Sequence, residues 1–160
     1  MGNRAVITNW VTGETQESFD ENRLKFRKEP LNQVGVYVHW NGGKESIQTF
    51  LMYCKMKEYR STNSDDYGWA RLCQVIGNFF GGSTSIGIST LDGLDCCNGD
   101  NGTYLIKNWE IVDRYYNYDD ENYDVLLEDL IYIDECQPVK EQLGKKKIIE
   151  LFEQYNTPNF

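Results

Sequence analysis

Positive charge is scarce in this chain: 16 Lys and Arg stand against 25 Asp and Glu over 160 residues, a formal net charge of −9. Neutralising phosphates takes basic side chains gathered on one face, so the balance argues against direct binding to nucleic acid or anionic membrane. Histidine occurs once, as His39, and any Ser–His–acid triad or Cys–His dyad has to run through it. Long apolar runs are missing too. No stretch approaches the roughly 18 residues that cross a bilayer, and residues 1–10 lack the apolar stretch of a secretory signal. Val6 stands where an N-myristoylation motif wants Ser or Thr, which excludes that anchor. The expected location is the cytoplasm. There the odd, scattered set Cys54, Cys73, Cys96, Cys97 and Cys136 is reduced. Adjacent Cys96 and Cys97 have no companion pair at zinc spacing, so neither a metal centre nor a cofactor is expected.

What is present suits one ordered domain: 40% hydrophobic and 14% aromatic residues can build a core without staples at this length. Residues 4–8 read as a first strand, and residues 9–30 as a polar surface insertion that closes at Pro30. From Val34 to Trp40 the chain alternates, with Val34, Val36, Val38 and Trp40 on one face and Gly35, Tyr37 and His39 on the other. Ile47, Phe50, Leu51 and Cys54 then recur at helical spacing, predicting a helix over 45–59. Trp69, Leu72, Cys73, Ile76 and Phe80 mark a second, stopped by Gly81 and Gly82. A strand is predicted over 85–88 and a pair over 103–106 and 109–115, turning about Lys107 and Asn108. Leu126, Leu127, Leu130, Ile131 and Ile133 suggest a third helix. Ile148, Leu151, Phe152 and Tyr155 suggest a fourth, after Pro138 and ending before Pro158. Strands and helices in blocks predict an α+β fold: a small mixed or antiparallel sheet of four to five strands against two to four helices. Residues 1–137 are taken as the domain and 138–160 as a C-terminal helix and tail.

The charge is unevenly distributed. Residues 1–60 carry +2, 61–112 carry −4, 113–137 carry −8 and 138–160 carry +1. The acidic 25-residue segment interleaves its carboxylates with Tyr115, Tyr116, Tyr118, Tyr123 and Tyr132. Carboxylates among flat aromatic rings present negative charge as a phosphate backbone does, so the segment reads as a decoy for a basic protein surface. The residues expected to face such a partner are Asp119, Asp120, Glu121, Asp124, Glu128 and Asp129, with Tyr116, Tyr118 and Tyr123. Acids at a helix start also suit its dipole and solubility, and that is the plainer account of the same run.

An alternative site for a small anionic ligand draws on other residues. Asn41, Gly42 and Gly43 lie between a strand and a helix, where free N–H groups bind anions, with Lys44 beside them. The glycines match neither the Walker pattern nor the dinucleotide fingerprint. Arg4 and Arg71, each in an apolar or aromatic neighbourhood, either pair with a carboxylate or meet an anion. His39 completes this set and is also the one catalytic candidate, for a small hydrolase. The oxygen-rich stretch Asp92–Asn101 departs from the calcium-loop pattern and reads as turns before a hairpin.

Residues 1–7, 37–43, 67–71, 78–82 and 98–102 (MGNRAVI, YVHWNGG, YGWAR, NFFGG and NGDNG) resemble a group of small, uncharacterised acidic proteins encoded by phages and prophages of Firmicutes. The likeness covers the first strand and about residues 34–137; it carries no site residues, only a setting. In that setting the chain is expected to be a phage accessory protein, not an enzyme. It would inhibit a host defence or nucleic-acid-binding protein in the bacterial cytoplasm, in the manner of an anti-CRISPR or anti-restriction factor. The alternative is a protein that sequesters a nucleotide signal.

Overall fold

The alternation after Val34 decides which side of the sheet becomes the main core. The computed structural model describes residues 2–24 and 33–157. Among these, strands β1 (Ala5–Asn9), β2 (Val34–Val38), β3 (Ile86–Thr90), β4 (Thr103–Lys107) and β5 (Glu110–Tyr115) form one mixed sheet, ordered β3-β2-β1-β4-β5. β1 runs parallel to β4 and antiparallel to β2, and each edge strand is antiparallel to its neighbour. The helices are α1 (Gln16–Leu24), α2 (Lys44–Met56), α3 (Asp66–Phe80), α4 (Leu127–Cys136) and α5 (Lys145–Asn156). The fold is α+β.

Ala5, Ile7, Val36, Val38, Tyr104 and Ile106 point to one face and are buried against α2, α3, α4 and α5. Val6, Leu105 and Tyr115 point to the other, where Phe19 of α1 and the segment carrying Leu91 and Cys96 cover them. Period-2 alternation thus feeds two cores from the same strands. The second core lets the chain cross from β3 at one edge to β4 beyond β1, laying residues 91–102 over the sheet as it goes.

Three elements differ from the sequence pattern. Residues 16–24 form a helix within the supposed surface insertion, whose residues 25–30 lie outside those described. Its start is closed by a reciprocal pair, Ser18 N–H to Thr15 Oγ1 at 3.2 Å and Thr15 N–H to Ser18 Oγ at 2.9 Å, with Phe19 as the buried anchor. One aromatic in a polar helix leaves no apolar stripe to read. The C-terminal helix is no detached tail, because Ile148 is fully buried in the main core and Leu151 and Phe152 pack against it. The β4–β5 turn places both Asn108 (φ 52°) and Trp109 (φ 65°) in the left-handed region, as a tight hairpin turn requires. A tryptophan there is unusual. Its indole is 5% exposed and its Nε1 donates to the Tyr59 carbonyl at 2.9 Å, contacts that offset the strain.

The α3 stop is as the glycines indicate: Gly81 takes φ 73° and its N–H returns to the Asn78 carbonyl.

Candidate functional site

After β5 the chain leaves the sheet and runs irregularly to α4, carrying Asp119, Asp120, Glu121 and Asp124. Asp119, Asp120, Glu121, Asp124, Glu128 and Asp129 are all exposed. The loop is nonetheless pinned. Lys44 Nζ donates to the Glu121 carbonyl at 3.1 Å, Gln48 Nε2 donates to the Tyr123 carbonyl, and Arg114 NH1 reaches the Asp119 carbonyl at 3.5 Å. Arg114 also lies 4.6 Å over the Tyr104 ring and donates Nε to the Asn101 carbonyl. The basic residues near the loop therefore hold its backbone and leave its carboxylates outward.

Within the loop, Tyr123 donates its hydroxyl to Asp119 Oδ2 at 3.1 Å and Glu121 Oε2 at 3.3 Å. The Asp119 carboxyl, accepting the Glu121 N–H and then that hydroxyl, is held below the ordinary carboxylate range. The same hydrogen bond pushes the Tyr123 phenol up to about 12. Tyr118 is 86% exposed, the most open aromatic described, with Gln16 Nε2 at 3.4 Å from its hydroxyl. Tyr116 behaves differently. It stacks against Phe19 and Tyr115 in the second core and donates to Asp20, so it does not join the outward set.

Because Lys44 and Gln48 tie the loop to α2, the acids run on to a groove between α2 and α4. This groove, about 280 Å³, is floored by Phe50, Phe79, Tyr132 and Ile133 and rimmed by Glu45 and Asp129. Phe79 meets Phe50 and Tyr132 edge-on at centroid distances of 5.1 and 5.8 Å. Two exposed carboxylates over an aromatic floor fit the side chain of an arginine or lysine, whose stem is apolar and whose head is cationic. Tyr132, 56% exposed, was counted in the acidic segment, but neither it nor Glu45 stood among the expected contacts. The α4 stripe that marks Ile133 as core says nothing of what the next residue round the helix meets.

The alternative ligand set is only partly assembled. Arg4 donates through Nε to Asp100 Oδ2 at 2.8 Å, with Asp95 3.9 Å from its NH1, so it is an ion-paired residue just ahead of β1. The Arg4 hydrogen bonds hold the Asp100 carboxyl below the ordinary range. Gly42 packs against Asn3, Arg4 and Ala5, where a Cβ would stand 2.8 Å from that of Ala5. The Glu45 carboxylate folds back to Gly43, with Oε1 2.6 Å from where a Gly43 Cβ would stand. That carboxylate faces the start of α2, the place where an anion was expected, and Lys44 is engaged with the loop. His39 is half-buried on the face opposite the valines, its Nδ1 2.8 Å from the Tyr37 hydroxyl and its ring edge-on to Trp40. Among the described residues that phenol is its hydrogen-bond partner, and no serine, threonine or cysteine side chain is paired with it. Burial pushes the Cys54 thiol up, and the Cys73 thiol up to about 11, which makes both poor nucleophiles at neutral pH.

Residues 98–102 form a loop wired by Asn98. Its Oδ1 accepts the N–H groups of Asp100 and Gly102, and its Nδ2 donates to the carbonyls of Asp95 and Gly102. Among the described residues no group of three or more His, Cys, Asp or Glu side chains could hold a metal ion.

Arg71 lies elsewhere. It shares a cleft with Glu58, Tyr59, Arg60 and Tyr67, apart from Arg4 and His39.

No family model, curated protein or solved structure matches the chain.

The site therefore rests on geometry alone. Among the described residues no helix is long and apolar enough to cross a membrane. Segments 1–7, 37–43 and 98–102 do converge: the Asn3 N–H donates to the His39 carbonyl, the Gly42 N–H to the Asn3 carbonyl, the Asn101 N–H to the Arg4 carbonyl and the Tyr104 hydroxyl to the Gly42 carbonyl. These are mostly backbone contacts that knit the sheet ends together, so the motifs account for architecture and leave the acidic face outside them.

Proposed function

We propose that this protein is a non-enzymatic binding protein whose acidic, tyrosine-bearing face occupies the nucleic-acid-binding surface of a partner protein. The observation that supports the reading most directly is the continuity of outward carboxylates from Asp119 to Asp129 with a groove shaped for a cationic side chain. The loop is held by Lys44, Gln48 and Arg114 through its carbonyls, so it is presented preformed and its carboxylates stay available. Preorganisation of this kind lowers the entropic cost of association. Opposed charge then raises the encounter rate and makes binding steeply dependent on salt. In the setting that the phage resemblance implies, the partner is a host defence or nucleic-acid enzyme, such as a CRISPR effector or restriction enzyme, met in the bacterial cytoplasm.

The test is affinity purification of the tagged protein from its bacterial host at low and high salt, in parallel with the triple variant Asp120→Lys, Glu121→Lys, Asp124→Lys. The expected result is a nucleic-acid-binding protein retained by the wild type at low salt, released at high salt, absent with the triple variant, and losing its nucleic acid when the wild type binds. Retention unaffected by the triple reversal overturns the reading, and so does an eluate of this chain alone.

A further inference from the structure

The described arginines differ in what they hold. Arg4 is paired with Asp100, Arg60 NH1 with Asp65 Oδ2 at 2.9 Å, and Arg114 with the carbonyls of Asn101 and Asp119. Arg71 has no oxygen partner among the described residues. Its guanidinium carbon lies 5.9 Å from the centroid of the Tyr59 ring and 5.6 Å from that of Tyr67. In a chain with 25 Asp and Glu residues, one half-buried guanidinium with no carboxylate partner among the described residues is a selective arrangement.

The local fold explains how it is kept. Tyr67 and Arg71 are four apart on α3 and share a face. Gly68, between them, lets the backbone of Ser61 and Thr62 come within 2.5 Å of where a Cβ would stand, which draws the segment after α2 against the first turn of α3. Glu58 turns that segment with φ 55°, and the Trp109 Nε1 hydrogen bond to the Tyr59 carbonyl fixes the neighbouring residue. The result is a cleft of about 430 Å³ lined by Glu58, Tyr59, Arg60, Tyr67 and Arg71, within the range of small-molecule sites. The Arg71 guanidinium lies in cation–π range of both rings, sharing that of Tyr67 with Arg60 at 5.3 Å, and among the described residues no oxygen takes its N–H groups, which remain for a ligand. A planar fork of donors suits the oxygens of a phosphate. Asp65 already engages Arg60, and Glu58 on the rim repels further negative charge, so the cleft takes one phosphate group and disfavours a polyphosphate or a nucleic-acid strand.

We propose that the Arg71 cleft is a binding site for a small phosphate monoester, of the class of nucleoside monophosphates, with the phosphate on Arg71 and the nucleoside against Tyr59 and Tyr67. This site is distinct from the acidic face and does not depend on it.

The experiment is isothermal titration calorimetry of the full-length protein with AMP, GMP, CMP and UMP, with the corresponding nucleosides and with inorganic phosphate. The variants are Arg71→Gln, Arg71→Lys, Tyr67→Leu and, as a charge control on the exposed start of α5, Lys146→Gln. At least one monophosphate is expected to saturate, with its nucleoside and inorganic phosphate each binding roughly tenfold or more weakly. Arg71→Gln is expected to lose roughly tenfold or more in affinity, Arg71→Lys less, and Lys146→Gln nothing. Tyr67→Leu should weaken the monophosphate by a larger factor than inorganic phosphate, since it removes the nucleoside contact as well as one of the two rings beside Arg71, a split that a misfolded variant would not show. Thermal denaturation of each variant separates loss of fold from loss of site. Absence of saturation by any monophosphate up to about 10 mM overturns the proposal, since millimolar dissociation constants correspond to only about 4 kcal/mol. Nucleosides binding as well as their monophosphates, or Arg71→Gln binding like the wild type, overturns it equally. Inorganic phosphate binding as tightly as every monophosphate shows an anion site alone and overturns the nucleoside assignment.

Discussion

Asp134 is the acid of segment 113–137 that does not face solvent, and it provides the sharpest test of the packing. It is 2% exposed, and its carboxylate accepts the Tyr53 hydroxyl at 2.6 Å, the Leu143 N–H at 2.8 Å and the Gly144 N–H at 2.9 Å. One side chain thereby joins α2, α4 and the start of α5. Helix α5 opens on Lys145, Lys146 and Lys147, has no acid in its first turn and no side-chain cap, so its exposed amides and dipole lack local compensation. Asp134 supplies the missing negative charge from the neighbouring helix. Burial, and after it the hydrogen bond to Asp134, pushes the Tyr53 phenol well above its ordinary range, which keeps the proton on Tyr53 as the donor.

Replacing Asp134 by Ala strands three donors. Tyr53 is fully buried and water cannot reach its hydroxyl, so it bears the whole desolvation cost, about 2–3 kcal/mol. The Leu143 and Gly144 amides are partly open to solvent and recover some hydration, adding about 0.5–1 kcal/mol each. Asp134→Ala is therefore expected to cost about 3–5 kcal/mol, a drop of roughly 10 °C in Tm at this chain length. Tyr53→Phe removes one donor and leaves the carboxylate with two amides, for about 1 kcal/mol. In the Tyr53→Phe background the Asp134→Ala cost should fall by about 2–3 kcal/mol, because the stranded hydroxyl is already gone. Urea denaturation of the four proteins, with m compared across them, reads all three quantities. An Asp134→Ala cost below about 1 kcal/mol would refute the reasoning, as would a cycle with no coupling.

Three further outcomes follow from the same geometry. Gly68→Ala should destabilise by about 1–3 kcal/mol, because its Cβ would meet rigid backbone at Ser61 and Thr62, although helix propensity alone favours Ala by about 1 kcal/mol; a stabilised variant in urea denaturation sinks the close-approach account. Asp100→Asn should lower stability at neutral pH: the folded carboxyl titrates below its unfolded value near 3.9, so its contribution is complete above that value and disappears as pH falls through the folded one. Urea midpoints of wild type and variant should therefore converge below about pH 3.9, and a constant gap down to full acid protonation counts against the Arg4–Asp100 pair. The triple reversal Asp120→Lys, Glu121→Lys, Asp124→Lys should leave stability within about 0.5 kcal/mol, since all three are exposed; a larger loss by thermal or urea denaturation means these acids hold the loop and are not free for a partner.

The elements legible in the sequence are those with a strong period. Val34 to Val38 alternates because one face meets four helices while the other carries Tyr37 beneath the 91–102 crossing, and the stripes of α2 and α3 show because each packs flat on the sheet. Helix α1 was hidden because its sequence offers only Phe19 and Leu24 as apolar positions, five apart, a spacing that makes no helical stripe. The acidic run was visible as composition, yet composition does not distinguish Asp129 on the groove rim from Asp134 under α5, five residues later on the same helix. That distinction depends on where Tyr53 and Glu45 arrive from α2, and no local pattern encodes it.

Arg4 and Arg71 show the same limit from the other side. Both read as arginines set among apolar and aromatic neighbours, and the sequence treats them alike. The fold separates them through glycine: Gly99 and Gly102, both with positive φ, shape the loop that delivers Asp100 to Arg4, while Gly68 brings a stretch of backbone rather than a carboxylate up to the turn before Arg71. One guanidinium is thereby neutralised by the chain and the other is left to the tyrosines. In a protein of net charge −9, a cation ion-paired with no described carboxylate and a face of carboxylates whose neighbouring cations bind carbonyls are two consequences of the same economy of positive charge. If both arrangements serve binding, charge reversal on the acidic loop and neutralisation of Arg71 should act on different partners and should be additive in any assay that reads both.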